Sequence, residues 1–133
     1  MADQTFDQNH NGFYKESMLN KIPDESGIYC VYESSDNGIL HRLLYIGESE
    51  NIRNRIASHE RKDDWIQELE TGKILRFSYT LIDKNNRVRV EAAYINKHKP
   101  PTNSEYVDNF DFHKTTINTS GNNDYLYHSF TVG

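Results

Sequence analysis

Gly27-Ile28-Tyr29-Cys30-Val31-Tyr32-Glu33, then Asp36-Asn37-Gly38, then Ile39-Leu40-His41-Arg42-Leu43-Leu44-Tyr45-Ile46-Gly47: this stretch decides the fold. The first segment is rich in β-branched and aromatic residues and reads as a strand. Asn37-Gly38 is a strong hairpin signal, because both residue types tolerate positive φ. The second segment is then the return strand.

Downstream, Ser49 or Asn51 offers an N-cap to a helix whose apolar positions, Ile52 and Ile56, lie four apart. That spacing predicts Arg55 and His59 together on a neighbouring face, one turn apart. A second helix is expected over 63–70, ending at Thr71-Gly72. Residues 73–82 alternate well enough for a third strand, and 83–86 form its turn. Residues 87–99 read as a helix with Val88, Ala92 and Ile95 along one side, stopped by Pro100-Pro101.

Upstream the signals fade. Ile22 to Ser26 is a turn-rich entry, and Asn9-His10-Asn11-Gly12 reads as a breaker of regular structure. Phe13, Tyr14, Met18 and Leu19 fit a helical turn or two, so residues 1–20 are expected as a loosely packed arm. The tail over 118–124 reads as a loop, and 125–132 as a returning edge strand. The expected fold is therefore α+β: a small, mainly antiparallel three-stranded sheet flanked by helices. Residues 1–25 form an N-terminal extension, 26–104 the core, and 105–133 a C-terminal extension packing on it.

The bulk composition fits this plan. A chain of 133 residues suits one domain that buries roughly two-thirds of its unfolded surface. Cys30 is the only cysteine, so neither an intrachain disulfide nor a Cys-rich zinc site can form; it reads as a small buried hydrophobe. Met1-Ala2-Asp3-Gln4 is polar and acidic, unlike a secretory leader, and no run of about 18 apolar residues occurs. A soluble, intracellular, cytoplasmic protein is the expectation. The net charge of −5 argues at first against a nucleic-acid partner. Its distribution reverses that: residues 41–99 hold twelve Lys/Arg against nine Asp/Glu, between two acidic ends. A basic centre suits a phosphate-facing surface.

The polar residues set among these elements are Tyr29 and Tyr45 on paired strands, Arg55 and His59 beyond them, Glu91 on the last helix, and Asn103 past the prolines. Over about residues 26–104 the chain resembles the GIY-YIG nuclease family. Both name-giving triplets, Gly27-Ile28-Tyr29 and Tyr45-Ile46-Gly47, are intact. The run Gly47 to Arg55 resembles the family's passage from the second triplet into an Arg-bearing helix, and Glu91 to Asn103 its closing segment. Two triplets, an Arg, a Glu and an Asn in order make a specific signal, where either triplet alone is weak.

The resemblance implies an endonuclease that hydrolyses DNA phosphodiester bonds with one divalent cation, Mg2+ or else Mn2+, bound by Glu91. It implies that Arg55 holds the scissile phosphate, that Tyr29 and Tyr45 position and deprotonate the attacking water, and that Asn103 orients backbone or phosphate. A phenol near its ordinary pKa of about 10 is a poor base at neutral pH. His59, with an ordinary value of about 6.5, offers a second proton acceptor, a pattern nearest the family's restriction enzymes. Arg53, Lys97 and Lys99 are candidate contacts to neighbouring phosphates, with Arg61, Lys62, Arg87 and Arg89 in the same basic stretch. Gly27 and Gly47 are expected to serve backbone geometry. His41, His98 and His113 lack ligand-like spacing.

The chain departs from family members that act on defined targets in showing no evident DNA-reading module. A homodimer, or recruitment by another protein, would compensate. Two rival readings stand beside the enzyme: a silent module that binds nucleic acid or a protein partner, and a nuclease whose target is RNA or branched DNA. Intact Tyr29, Tyr45, Arg55 and Glu91 argue against the silent module.

Overall fold

A computed structural model of the chain describes residues 2–133; Met1, part of the polar N-terminus read above, lies outside the described residues. The hairpin is present, with β2 (Gly27–Ser34) antiparallel to β3 (Leu40–Ser49) and Gly38 turning at φ +98°. All eight residues of β2 are buried, because it pairs on its other side with β4 (Ile74–Leu81) and both faces are covered. That explains its continuous apolar run. Ile28, Cys30 and Tyr32 face α3 (Arg87–His98). Tyr29 and Val31 face α1 (Ile52–Ala57) and α2 (Lys62–Glu68). Cys30 is a free, buried thiol, as expected.

The sheet has six strands, where three were expected. Its order is β3-β2-β4-β1-β5-β6, with β1 at Gln4–Lys15, β5 at Thr115–Gly121 and β6 at Ser129–Val132. Neither the loose arm nor the Asn9–Gly12 breaker is found: β1 lies inside the sheet, antiparallel to β4 and parallel to β5. Its apolar period is missing because its buried side chains, Gln8 and His10, are polar; each makes a side-chain hydrogen bond, and His10 Nδ1 has no partner among the described residues. Gln8 Nε2 donates to Thr80 Oγ1 at 2.9 Å and to the Leu81 carbonyl at 3.1 Å. His10 Nε2 lies 2.8 Å from the Tyr94 hydroxyl. The helical turn expected near Met18 is a 3-10 turn, Glu16–Lys21.

Similarly, the presumed loop at 118–124 begins as part of β5. Asn118 Nδ2 donates to Asp7 Oδ1 at 3.1 Å, so polar residues pair across strands. The expected closing edge strand is present over its last four residues, β6. Arg89, buried on α3, joins both ends of the chain: its guanidinium donates to Thr115 Oγ1, Gln4 Oε1 and the carbonyls of Ala2, His113 and Lys114. Val88, expected on the packed side, is exposed.

Helix α1 is shorter than its pattern suggested. Asn51 caps it by accepting from the Asn54 amide, and it ends at Ala57, with Ser58 as C-cap. His59 therefore stands in the connection to α2 and not one helical turn above Arg55. No helix among the described residues is long and apolar enough to cross a membrane.

Candidate active site

A cavity of about 300 Å³ opens beside β3, walled by Tyr29, Tyr45, Arg55, Glu91 and Asn103 together with Glu48, Glu60, Arg61 and Glu105. Five of the six candidates thus meet in one pocket, although they come from β2, β3, α1, α3 and the loop after α3.

The hairpin register explains the tyrosine pair. Tyr29 faces Gly47 across the strands, and a Cβ built on Gly47 would overlap the Tyr29 Cζ and hydroxyl. Gly27 is required by the same sheet, since a Cβ there would overlap the Thr80 carbonyl oxygen. The two phenol rings lie 6.2 Å apart, tilted by 30°. Burial pushes the Tyr29 hydroxyl well above the ordinary tyrosine range; neighbouring Tyr45 adds to the rise and Arg55 opposes it. Tyr45 is raised too, first by burial and then by Glu91. Both phenols hold their protons at neutral pH.

His59 lies behind the tyrosines instead of lining the pocket. Its ring meets Tyr45 edge-on at 5.1 Å and Tyr29 at 5.9 Å, and leans on Trp65 at 4.6 Å. Nδ1 accepts the Arg61 amide at 3.0 Å, while Nε2 is buried with no partner among the described residues. A neutral imidazole has one acceptor nitrogen. With Nδ1 accepting, Nε2 carries the proton. Burial, and then Arg55, lower its pKa to about 4.

Glu91, like Glu105, is a carboxylate of the pocket wall that no ion pair engages among the described residues. Arg55 is engaged by Glu60 and Arg87 by Glu48, so no ion pair reaches Glu91 among the described residues. Burial raises its pKa to about 8, with the nearby charges of Glu48 and Glu105 adding to the rise. Among the described residues no cluster of three or more His, Cys, Asp or Glu could hold a metal. One carboxylate facing an open cavity of this size fits a hard ion that keeps most of its waters, as magnesium does.

Asn103 braces β3. Its Oδ1 accepts the Ile46 amide at 3.0 Å and its Nδ2 donates to the Ile46 carbonyl at 2.9 Å, so the carboxamide pairs with the edge strand as a further strand would. The Tyr45-Ile46-Gly47 triplet is held from both sides. Arg61 ties the same loop, donating to the Thr102 carbonyl at 3.3 Å and Ser104 Oγ at 2.9 Å.

The three candidate contacts to flanking phosphates, like His59, lie outside the pocket. Arg53 Nε donates to the Ile22 carbonyl at 2.6 Å, Lys97 Nζ sits 4.5 Å over the Tyr127 ring, and Lys99 Nζ donates to the Val107 carbonyl. Conversely, Glu48, Glu60 and Glu105 belong to the wall and were not singled out. Glu48 directly follows the second triplet, which was a usable signal. Glu60 gave none, because five residues from Arg55 is not a helical neighbour spacing.

The family model that matches residues 25–106 is described as the GIY-YIG catalytic domain. The chain belongs to this family. Proteins named UvrABC system protein C are similar to the chain as well. That of Cyanothece sp. is 32% identical over 92 residues, covering 66% of this chain and 14% of the relative. Those of Petrotoga mobilis and Ruminiclostridium cellulolyticum are 30% identical over 92 residues and 29% over 110. They cover 65% and 75% of this chain, and 15% and 16% of the relatives. The GIY-YIG chain thus corresponds to only about a seventh of the length of these proteins. No solved structure matches it.

Proposed function

We propose that this GIY-YIG endonuclease hydrolyses DNA phosphodiester bonds with the help of one divalent cation, most readily Mg2+. The observation that carries the reading is the convergence of Tyr29, Tyr45, Arg55 and Glu91 on one pocket from four separate elements. Two phenols, a guanidinium and an unpaired carboxylate suit water attack on a bound phosphate.

Glu91 would hold the cation, whose positive charge polarises the phosphate and offsets charge on the leaving oxygen. Arg55 places its planar fork on the non-bridging phosphate oxygens and stabilises the pentavalent transition state. Tyr29 and Tyr45 hydrogen-bond the attacking water. Tyr29 keeps its proton in the cation-free protein; to act as the base it would first release that proton to solvent, a loss that the charges of Arg55 and the cation favour, and then take the proton of the attacking water. His59 assists by fixing both phenol rings edge-on. Asn103 acts through the strand it braces. Lys97, Lys99 and Arg53 are assigned to phosphates flanking the scissile one. The acidic chain ends leave room for a second copy or a recruiting protein to strengthen DNA binding.

Incubation with supercoiled plasmid and Mg2+ tests the reading. Nicked or linear product is expected, abolished by EDTA. Tyr29→Phe should lower cleavage by at least 100-fold while circular dichroism stays native. Near-normal cleavage by Tyr29→Phe would refute the tyrosine assignment. An intact plasmid alongside cleaved RNA or branched DNA would redirect the substrate.

A further inference from the structure

The guanidinium assigned to the scissile phosphate is already occupied by an anion. Arg55 Nη1 and Nη2 donate to Glu60 Oε2 and Oε1 at 2.5 and 2.7 Å. This fork-on-fork geometry is the one a guanidinium offers equally to two phosphate oxygens. Both residues wall the pocket, so the ion pair sits in the site itself and not on a remote surface.

The surroundings of Glu60 fix its backbone and leave its side chain free. It stands in the turn between α1 and α2. His59 Nδ1 accepts the Arg61 amide at 3.0 Å, the Lys62 amide donates to the His59 carbonyl at 3.2 Å, and the His59 ring is buried. The Glu60 side chain is 68% exposed, and apart from Arg55 the one basic group within 4 Å among the described residues is the His59 ring, 3.9 Å away and neutral. Rotation about its own side-chain bonds is enough to clear the fork.

We propose that Glu60 is a built-in stand-in for the scissile phosphate: it fills the Arg55 fork in the substrate-free protein and swings out when a phosphodiester takes its place. The proposal rests on the reading of Arg55 as the phosphate-binding residue. Two consequences follow from exchanging one bidentate anion for another. Arg55 is held extended in the pocket wall before substrate arrives, so less side-chain freedom is lost on binding. An incoming anion must also displace a carboxylate, which selects oxyanions able to accept two hydrogen bonds over monodentate anions.

An exposed ion pair is worth little, so the competition is mild: removing it should tighten anion binding about two- to fivefold. The full chain is titrated with inorganic phosphate, free of divalent cations, while NMR follows the Arg55 guanidinium. Glu60→Gln should bind phosphate at Arg55 that much more tightly than wild type. Binding of a short DNA duplex in EDTA, read by fluorescence anisotropy, should tighten alike, and the gain should vanish on an Arg55→Ala background. Equal phosphate affinity in wild type and Glu60→Gln overturns the proposal. So does a gain of undiminished size without Arg55, which would reflect only the loss of one negative charge near DNA. Phosphate that perturbs Arg55 in neither protein removes the phosphate-binding reading itself, and the stand-in with it.

Discussion

Tyr29 reaches the pocket only because the residue facing it across the hairpin has no side chain. The Gly47 Cα lies under the phenol ring, and any Cβ there meets Cζ and the hydroxyl. The glycine of the second triplet thus makes room for the tyrosine of the first, which ties the two motifs into one geometric unit. Gly47→Ala should destabilise the fold by about 1–3 kcal/mol, as overpacking does, and should lower cleavage more than tenfold at temperatures where it remains folded. Urea denaturation and plasmid nicking measure the two effects; wild-type cleavage in a destabilised variant would show that the ring relocates without harm. At this scale Tyr29, Tyr45, Arg55, Glu91 and Asn103 were legible because each stands in a motif or at a fixed distance from one. Glu60 was not, since its pairing depends on where α1 stops. His59 was misplaced for the same reason: an unbroken helix from Ile52 was extended past Ser58, where the chain leaves helical φ/ψ.

Elements carry their legibility in the chemistry of their buried faces. β2, buried on both sides by apolar neighbours, announces itself in Gly27 to Glu33. β1 is equally internal, yet Gln8 and His10 occupy its inner positions and hydrogen-bond to Thr80, Leu81 and Tyr94. Hydrogen bonds replace apolar contact there, so a hydrophobic period is absent. Arg89 shows the same substitution on α3. A buried cation with no ion pair among the described residues is held by five neutral acceptors drawn from residues 2–4 and 113–115. Arg89→Met keeps the volume but strands those acceptors. We expect a loss of about 2–4 kcal/mol, with limited proteolysis releasing the chain ends before it attacks the hairpin. Unchanged stability and protection would mean that β1 and β5 hold without the clamp.

For the molecule as a whole, the buried ionisable groups set how stability varies with pH before any cation binds. His10 and His59 are each lowered to about 4, chiefly by burial, and His98 is lowered as well. The unfolded chain takes up protons on these rings below about pH 6.5 and the folded protein does not, so stability falls as the solution is acidified. Glu91 acts in the opposite sense. Its folded value is about 8 against an ordinary 4.5, so the folded protein holds a proton that the unfolded chain has released. Stability from this group is present below pH 4.5 and is lost as pH rises towards 8. Between 4.5 and 6.5 the two effects oppose each other; from 6.5 to 8 the carboxyl acts alone. One proton held by the folded state alone corresponds to at most about 1.4 kcal/mol per pH unit, so the cation-free protein should lose about 1–2 kcal/mol across that window. Glu91→Gln should flatten the decline. Saturating Mg2+ or Mn2+ should also oppose it, since cation binding favours the ionised carboxylate and becomes tighter as pH rises. Thermal unfolding in EDTA at half-unit steps provides the measurement. A wild-type midpoint that stays level from pH 6.5 to 8 would mean that Glu91 is ionised throughout, already paired within the fold, and not the open position that the cation requires.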